Sequence, residues 1–406
     1  MSAPNQNKFL KVRDQSILDQ NNRPVILKGV NLGGWLMMEA YILHAPNIAE
    51  QVFKKNFARA LGRDELISFE KEFRDHFIRE DDIRRIAQWG FNCIRLPFNF
   101  RLIEPVPGHY SDEGLGYLKR AVDWCKRHGL WVILDLHAAP GAQNHDWHSD
   151  SLGPALLWNK KEFQNRTLRL WEFLADHFKD EPAVAGYDLL NEAVLQDTTL
   201  LNSFYRQLIK TIRQVDRRHI VFIEGNHWAQ DLDCLEDFPD EQSVLSIHAY
   251  QPLEFTFNFI PHLHYPEKSQ IGTWNKKILQ GLLSKYKKIS VRRNRPVFVG
   301  EFGVNARQGL YGEDQWVKDM TEIFAEFRFH WTYWTYKAVK NGVLPDGILS
   351  YMDNPAWINR AGPRSGWDVY SEWWTKKKTE MVSSWKSENF IENTPILNVL
   401  RHAAHQ

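Results

Sequence analysis

Cysteine is scarce in this chain and long apolar runs are missing, and each shortage removes a class of answer. Only 3 cysteines occur (Cys93, Cys125 and Cys234), an odd number at wide spacing. They make no metal-type pair and no even set, so neither a disulfide framework nor a zinc site is expected. Cys93 stands inside an apolar run and reads as a small buried hydrophobe. No apolar stretch approaches the ~20 residues of a membrane-crossing helix, so no membrane span is expected. The opening residues, MSAPNQNKFLKVRDQ, lack the apolar core of an export signal. As given, the chain is expected to be cytoplasmic, or secreted if a signal peptide has been removed.

Charge of one sign is lacking as well. Lys and Arg number 51 against 50 Asp and Glu, and the longest basic run is Lys376 to Lys378. That balance argues against nucleic acid or an anionic membrane as partner. No Gly-x-Gly-x-x-Gly turn follows the first strand candidate, which weakens a dinucleotide-binding reading. No repeat and no long Pro/Gly/Ser-rich linker divides the chain. Residues 1–406 therefore read as one domain.

What the chain has in surplus is tryptophan, 17 residues within an aromatic content of 13%. Any one ring belongs by default to a core. A surplus of flat rings also suits sugar recognition, where they stack on the apolar faces of the substrate.

Short apolar runs alternate with segments of helical period. The strand candidates are VILKGVN (25–31), FNCIRLPF (91–98), LWVILDLH (130–137), AVAGYDLL (183–190), HIVFIEG (219–225), SVLSIHAY (243–250), RPVFVGEFG (295–303) and FHWTYWTY (329–336). Between them lie helical patterns such as LGYLKRAVDWCKRHG, in which Gly129 is placed to end the helix. Alternation of this kind predicts a parallel sheet covered by helices, an α/β fold. Eight strands predict closure into a (β/α)₈ TIM barrel. Residues of about 8–24 read as a hairpin, turning at QNNR, that caps the barrel bottom. Residues of about 370–406, including the Trp-rich YSEWWTKKKTEMVSSW, read as a helical tail packed on the barrel, with a lipid or accessory sugar surface as the other reading.

Active-site groups of such barrels come from the C-terminal ends of the strands. Those ends carry Arg95, His137, Asn191-Glu192, Glu224, His248 with Tyr250, Glu301 and Trp334. Taken singly, each has an ordinary explanation: Glu as a salt-bridge partner, Arg95 as a counter-ion, His as a hydrogen-bonded packing residue. Converging on one end of one fold, they point to chemistry. Glu192 and Glu301 close the fourth and seventh strand candidates, and two carboxyls across a cleft suit glycoside hydrolysis. One must carry a proton to the leaving oxygen and the other must be ionised, states that different surroundings can hold at one pH. Glu224 is the rival carboxylate. His145 and His148 have a spacing that a metal would accept, but no third ligand is evident, so no metal and no cofactor are expected.

At these residues the chain resembles glycoside hydrolase family five. The resemblance runs through LKGVNLGGWLMMEAY, IRLPFNF, LDLHAAPGAQN, DLLNEA, HAYQ, VGEFGV and WTYWTYK in family order, and its first and third motifs are most similar to the exo-β-1,3-glucanase branch. It implies a retaining β-glycosidase acting by double displacement on a β-glucan or β-glucoside. Glu192 would be the general acid/base and Glu301 the nucleophile. Asn191 would bind the 2-hydroxyl of the cleaved sugar, Arg95 and Tyr250 would hold Glu301 ionised, and His137 and His248 would shape the same subsite. Trp334 would floor it, while Glu39 and Tyr41 would close the pocket on the non-reducing sugar. A monomer is expected.

Two departures bear on substrate. Where the branch has an aromatic gate after PGxQN, this chain has Asp146, with Trp147 next as a substrate-side ring. After WTYWTYK it continues AVKNGVLPDGILSYMD, which differs from the branch. The acceptor side is where specificity stays open: endo-β-1,4-glucanase and glycolipid or aryl β-glucosidase are the other enzymatic readings. A non-catalytic glycan-binding barrel would have no need of both Glu192 and Glu301.

Overall fold

A computed structural model describes residues 9–43, 45–339, 342–350 and 367–406. Eight parallel strands close into a barrel: β1 (Lys28–Asn31), β2 (Cys93–Asn99), β3 (Trp131–Ala138), β4 (Val184–Asp188), β5 (Ile220–Glu224), β6 (Ser243–His248), β7 (Val297–Phe302) and β8 (His330–Tyr333). β8 pairs with β1, which closes the ring. Every residue of β2 and β3 is buried, which is why their sequences do not alternate between apolar and exposed polar residues.

The helices start and stop where the side chains dictate. Ser111, Asp197 and Asn275 each accept a backbone N–H at the start of helices Asp112–Arg127, Thr198–Val215 and Lys276–Arg293. Gly129 takes a left-handed φ of 73° just past the first of these, the role its position predicts. The β5–β6 connection departs from the alternating pattern. Among the described residues it holds only the short turn Asn226–Ala229, so its sequence DLDCLEDFPDE forms a loop rather than a barrel helix.

The N-terminal hairpin caps the bottom as expected, though with three short strands and two turns. Lys11–Arg13 pairs with Ser16–Leu18, which pairs with Pro24–Val25 across the QNNR turn. The run 25–31 is thus split, Val25 going to this sheet and Lys28–Asn31 to the barrel. Leu10, Val12 and Ile17 pack on the barrel's lower interior, formed by Cys93, Trp131, Ile220 and Phe298. The cysteines are free, and Cys93 and Cys125 are buried.

Helices Glu50–Leu61 and Arg63–Phe77 are inserted between β1 and β2, and the C-terminal tail packs on them. Trp374 and Trp385 lie against Phe69 at ring distances of 5.2 and 5.5 Å, and Trp374 donates to Glu65 at 2.8 Å. These rings are core, not an exposed surface. Among the described residues no helix is long and apolar enough to cross a membrane.

Candidate active site

The barrel mouth holds a pocket of about 350 Å³ lined by Glu39, Tyr41, His137, Trp147, Glu192, Tyr250, Glu301 and Trp334, all singled out from sequence. Arg95 and His248 do not line it but bond to its carboxylates, and Asn191 bonds to Arg95. Asp146, His148, Trp228, Gln230, Leu253, Phe257, Leu344 and Pro345 complete the wall.

Glu301 is set by a break in strand register. β7 is irregular between Val299 and Phe302 on both of its edges, so Glu301 stands beside His248 of β6. Gly300 makes this possible, because a Cβ there would press on His248 at 3.1 Å. The freed Gly300 carbonyl accepts from Thr332 Oγ1 at 2.6 Å and Asn31 Nδ2 at 2.9 Å. Glu301 then receives Arg95 Nη1 on Oε1 and the Tyr250 hydroxyl on Oε2, both at 2.8 Å.

Arg95, fully buried in β2, is the common counter-ion. Its guanidinium also donates to Asp188 at 2.8 Å, Glu224 at 3.1 Å and Asn191 Oδ1 at 2.8 Å, and stands 3.2 Å from Asp135. Removing one side of a buried ion pair typically costs about 3–5 kcal/mol. Arg95 is therefore a structural charge and a site residue together. Burial, with Glu224 nearby, raises Asp188 well above the usual carboxylate range, and Arg95 only partly offsets it. Asn191 turns its amide oxygen to Arg95, which leaves Nδ2 without a protein partner.

Glu192 lies four residues past the last residue of β4, in the turn that follows, and its φ is 50°. For a residue with a side chain this left-handed conformation costs roughly 1–2 kcal/mol. Side chains take the peptide groups that such a turn frees: Glu224 Oε2 accepts the Glu192 N–H at 2.6 Å, and Asn144 Nδ2 donates to its carbonyl at 2.9 Å. Gln143 likewise donates to the Asn191 carbonyl at 2.9 Å. The Glu192 carboxylate bonds His248 Nδ1 at 2.6 Å through Oε1, and His148 Nε2 stands 3.5 Å from Oε2. A carboxylate oxygen of Glu192 and one of Glu301 lie within 4.8 Å of each other.

Burial favours the neutral acid at both carboxyls, with opposite outcomes. At Glu192 the bond and charge of His248 outweigh burial and hold the group below its usual range. At Glu301 burial prevails over His248 and Arg95, and the group stands above it. His137 would be lowered by burial, but Asp135 at 2.8 Å and Glu39 at 3.3 Å push it up to about 10. Its ring stacks on Trp334 at 5.4 Å and 8°, and the Trp334 Nε1 donates to the Tyr41 hydroxyl. Tyr41 in turn meets Trp147 edge-on at 5.7 Å.

Several residues here carried no assigned role in the sequence. Gln143 and Asn144 sit inside the PGAQN motif, so the signal was present but not its meaning. Trp228 had none. It belongs to a left-handed run, His227 to Ala229, and its Nε1 bonds Asp146 at 2.7 Å. His145 and His148 approach Asp146 at 3.6 and 3.5 Å, and among the described residues neither joins a metal-type cluster. Glu192, His248 and Glu301 have ligand atoms close enough for a cation, but those atoms already bond one another, Arg95 and Tyr250.

Residues 55–340 match the family Cellulase (glycosyl hydrolase family 5). The chain belongs to that family. This glycoside hydrolase is 35% identical over 346 residues to a β-xylosidase of Phanerodontia chrysosporium, spanning 82% of this chain and 71% of that one. It is 29% identical to endoglucanase C of Acetivibrio thermocellus, over 76% and 90% of the two chains. A probable glucan 1,3-β-glucosidase A of Aspergillus fumigatus matches at 31% over 49% of each. Among solved structures, Thermotoga maritima Cel5A in complex with cellobiose superposes with a TM-score of 0.62 at 19% identity, covering 93% of this chain and 97% of that one. An endogalactoceramidase superposes with a TM-score of 0.60 at 20% identity, over 82% and 75%. These structures share the barrel fold. The chain is a retaining β-glycosidase of family 5.

Proposed function

We propose that this enzyme releases terminal glucose from β-glucans by double displacement, with Glu301 as nucleophile and Glu192 as acid/base. The observation that carries the reading is the spacing of the two carboxylates, within 4.8 Å. Inverting enzymes keep about 6.5–9.5 Å between them so that a water can attack, and retaining ones about 5–5.5 Å. Glu301 attacks the anomeric carbon, the C–O bond to the aglycone breaks, and Glu192 gives its proton to the departing oxygen. Glu192 then takes a proton from water, which displaces Glu301 and restores both groups. Asn191 Nδ2, buried and unpartnered, is the donor left for the sugar 2-hydroxyl.

Terminal action is supported by one wall of the pocket, where Glu39, Tyr41, His137 and Trp334 bond and stack on one another. The β-xylosidase and glucan 1,3-β-glucosidase names among the relatives fit an enzyme that takes a terminal sugar. A second reading has one observation behind it. The outer wall carries Trp228, Leu253, Phe257, Leu344 and Pro345, which suits an aryl or alkyl aglycone. Lys340, Asn341 and the residues from 351 in the departing AVKNGVLPDGILSYMD segment lie outside the described residues.

The roles are tested by paired variants. Glu301→Ala should abolish turnover, with azide restoring it as a glycosyl azide of inverted configuration. Glu192→Ala should spare the first step only for dinitrophenyl glycosides, whose leaving group needs no proton. Equal loss on activated and unactivated substrates would remove Glu192 from the acid role.

A further inference from the structure

Glu224 ends β5 and is fully buried, outside the pocket wall, so it has no path to a substrate. Its two oxygens nonetheless reach three site residues. Oε2 accepts the Glu192 N–H at 2.6 Å. Oε1 accepts from Arg95 Nη2 at 3.1 Å and lies 3.3 Å from His248 Nε2. The far side of that imidazole holds Glu192 Oε1 at 2.6 Å.

We propose that Glu224 is the positioning residue for the acid/base, fixing Glu192 at its backbone directly and at its carboxylate through His248. The inference rests on the assignment of Glu192 as acid/base. The left-handed φ of 50° takes the Glu192 peptide out of the strand ladder, so its N–H needs a side-chain acceptor to keep the turn. Only an acceptor below the pocket floor meets that need without entering the substrate's space. A carboxylate suits it because the same group must face Arg95 and His248. Burial would raise Glu224, but His248, Arg95 and the Glu192 N–H more than offset it and keep the group ionised at about 2. The identity of a fully buried strand-end acid follows from this arrangement and from no other contact with the substrate side.

The test is the leaving-group dependence of kcat/KM in Glu224→Met and Glu224→Gln, with Glu192→Ala as reference. Both a dinitrophenyl β-glucoside and an unactivated alkyl β-glucoside are measured on the same sample, so the ratio does not depend on the fraction folded. Misplacing the acid should cost the unactivated substrate roughly tenfold or more beyond the activated one in the Met variant. The Gln variant keeps an oxygen for the Glu192 N–H and should recover most of that loss. Equal loss on both substrates in Glu224→Met, or no recovery in Glu224→Gln, would overturn the proposal. If the Met variant gives no folded enzyme, Glu224→Asp replaces it. It is one methylene too short to reach the N–H, and an unchanged substrate ratio there would be equally fatal. A Glu192→Ala enzyme that shows no leaving-group dependence would overturn the acid/base assignment itself, and this inference with it.

Discussion

Glu192 Oε1 and His248 Nδ1 lie 2.6 Å apart, and the directions in which the two groups are shifted draw the proton between them towards the histidine. Burial would lower His248, but Glu301, Glu224 and Glu192 together raise it well above its usual 6.5. Glu192 is correspondingly depressed. The proposed mechanism needs the reverse, a protonated Glu192 beside an ionised Glu301. A short bond lets the proton cross from Nδ1 to Oε1 without any change in the total count, so the site is charged with the proton that its first step uses. The groups titrate as a cluster rather than singly.

That count fixes the pH profile of kcat/KM. Activity should fall on the acid side when a second proton reaches Glu301, which burial holds above its usual 4.5. It should fall on the alkaline side when the shared proton leaves, above the usual histidine value of 6.5. His248→Asn removes the raised site and also the positive charge that lowers Glu301, so the alkaline limb should move to lower pH and the acid limb to higher pH. An alkaline limb that does not move would show that the working proton is stored elsewhere.

The stereochemistry follows from the carboxylate spacing. Proton NMR of the first-formed sugar from a β-glucoside should show the β-anomer, with the α-anomer growing in only by mutarotation. Initial release of the α-anomer would require a water between Glu192 and Glu301, for which a gap within 4.8 Å has no room.

Stability should carry its own pH signature, from Lys337. This lysine is buried between the barrel and the C-terminal tail, with its Nζ on the carbonyls of Phe77 and Trp385 (the latter at 2.8 Å) and on Ser387 Oγ at 2.9 Å. Burial pushes it down to about 7, and Asp82 offsets only part of this. The unfolded chain keeps that proton up to about pH 10.5, so folding becomes more favourable as pH rises from about 7 towards 10.5. One group contributes at most ~1.4 kcal/mol per pH unit. Between pH 7 and 9 the native protein should gain about 2 kcal/mol relative to Lys337→Met in denaturant unfolding. Parallel stability curves for the two proteins would refute it.

Much of this was legible in the chain because it depends on residue type and order. The eight apolar runs placed the barrel, and polar residues at their ends placed Glu192, Glu301, Arg95 and His248 on one face. What escaped was set by pairings distant in sequence. Neither the irregularity around Gly300 nor the left-handed Glu192 can be read from composition, since each exists only once neighbouring strands are in register. Glu224 illustrates the same limit. At a strand end it was a rival to Glu192 and Glu301, and only its 2.6 Å bond to the Glu192 N–H shows that it faces the turn. The missing helix between β5 and β6 left little trace in the sequence, because Leu232, Leu235 and Phe238 of DLDCLEDFPDE keep a spacing that a helix would accept.

Product order is the measurement that decides substrate. Glu39 is 3% exposed and stands 3.3 Å from His137, whose ring stacks on Trp334. Tyr41 bonds Trp334 and packs against Trp147. On the proposed terminal action this wall bounds the pocket, and only a terminal sugar should reach Glu301. Glucose should then be the first product from laminarin, ahead of any ladder of oligosaccharides. Glu39→Ala removes the wall's charged anchor and should raise KM for the terminal sugar more than it lowers kcat, since the lost contact is to the bound sugar in ground and transition state alike. Carboxymethylcellulose, mixed-linkage glucan and an aryl β-glucoside should be run beside laminarin. Faster turnover of the aryl glucoside than of any glucan would favour the apolar outer wall of Trp228, Leu253 and Phe257 as an aglycone site. Oligosaccharides appearing before glucose would mean a cleft open at both ends, and would return Glu39 to a purely structural role.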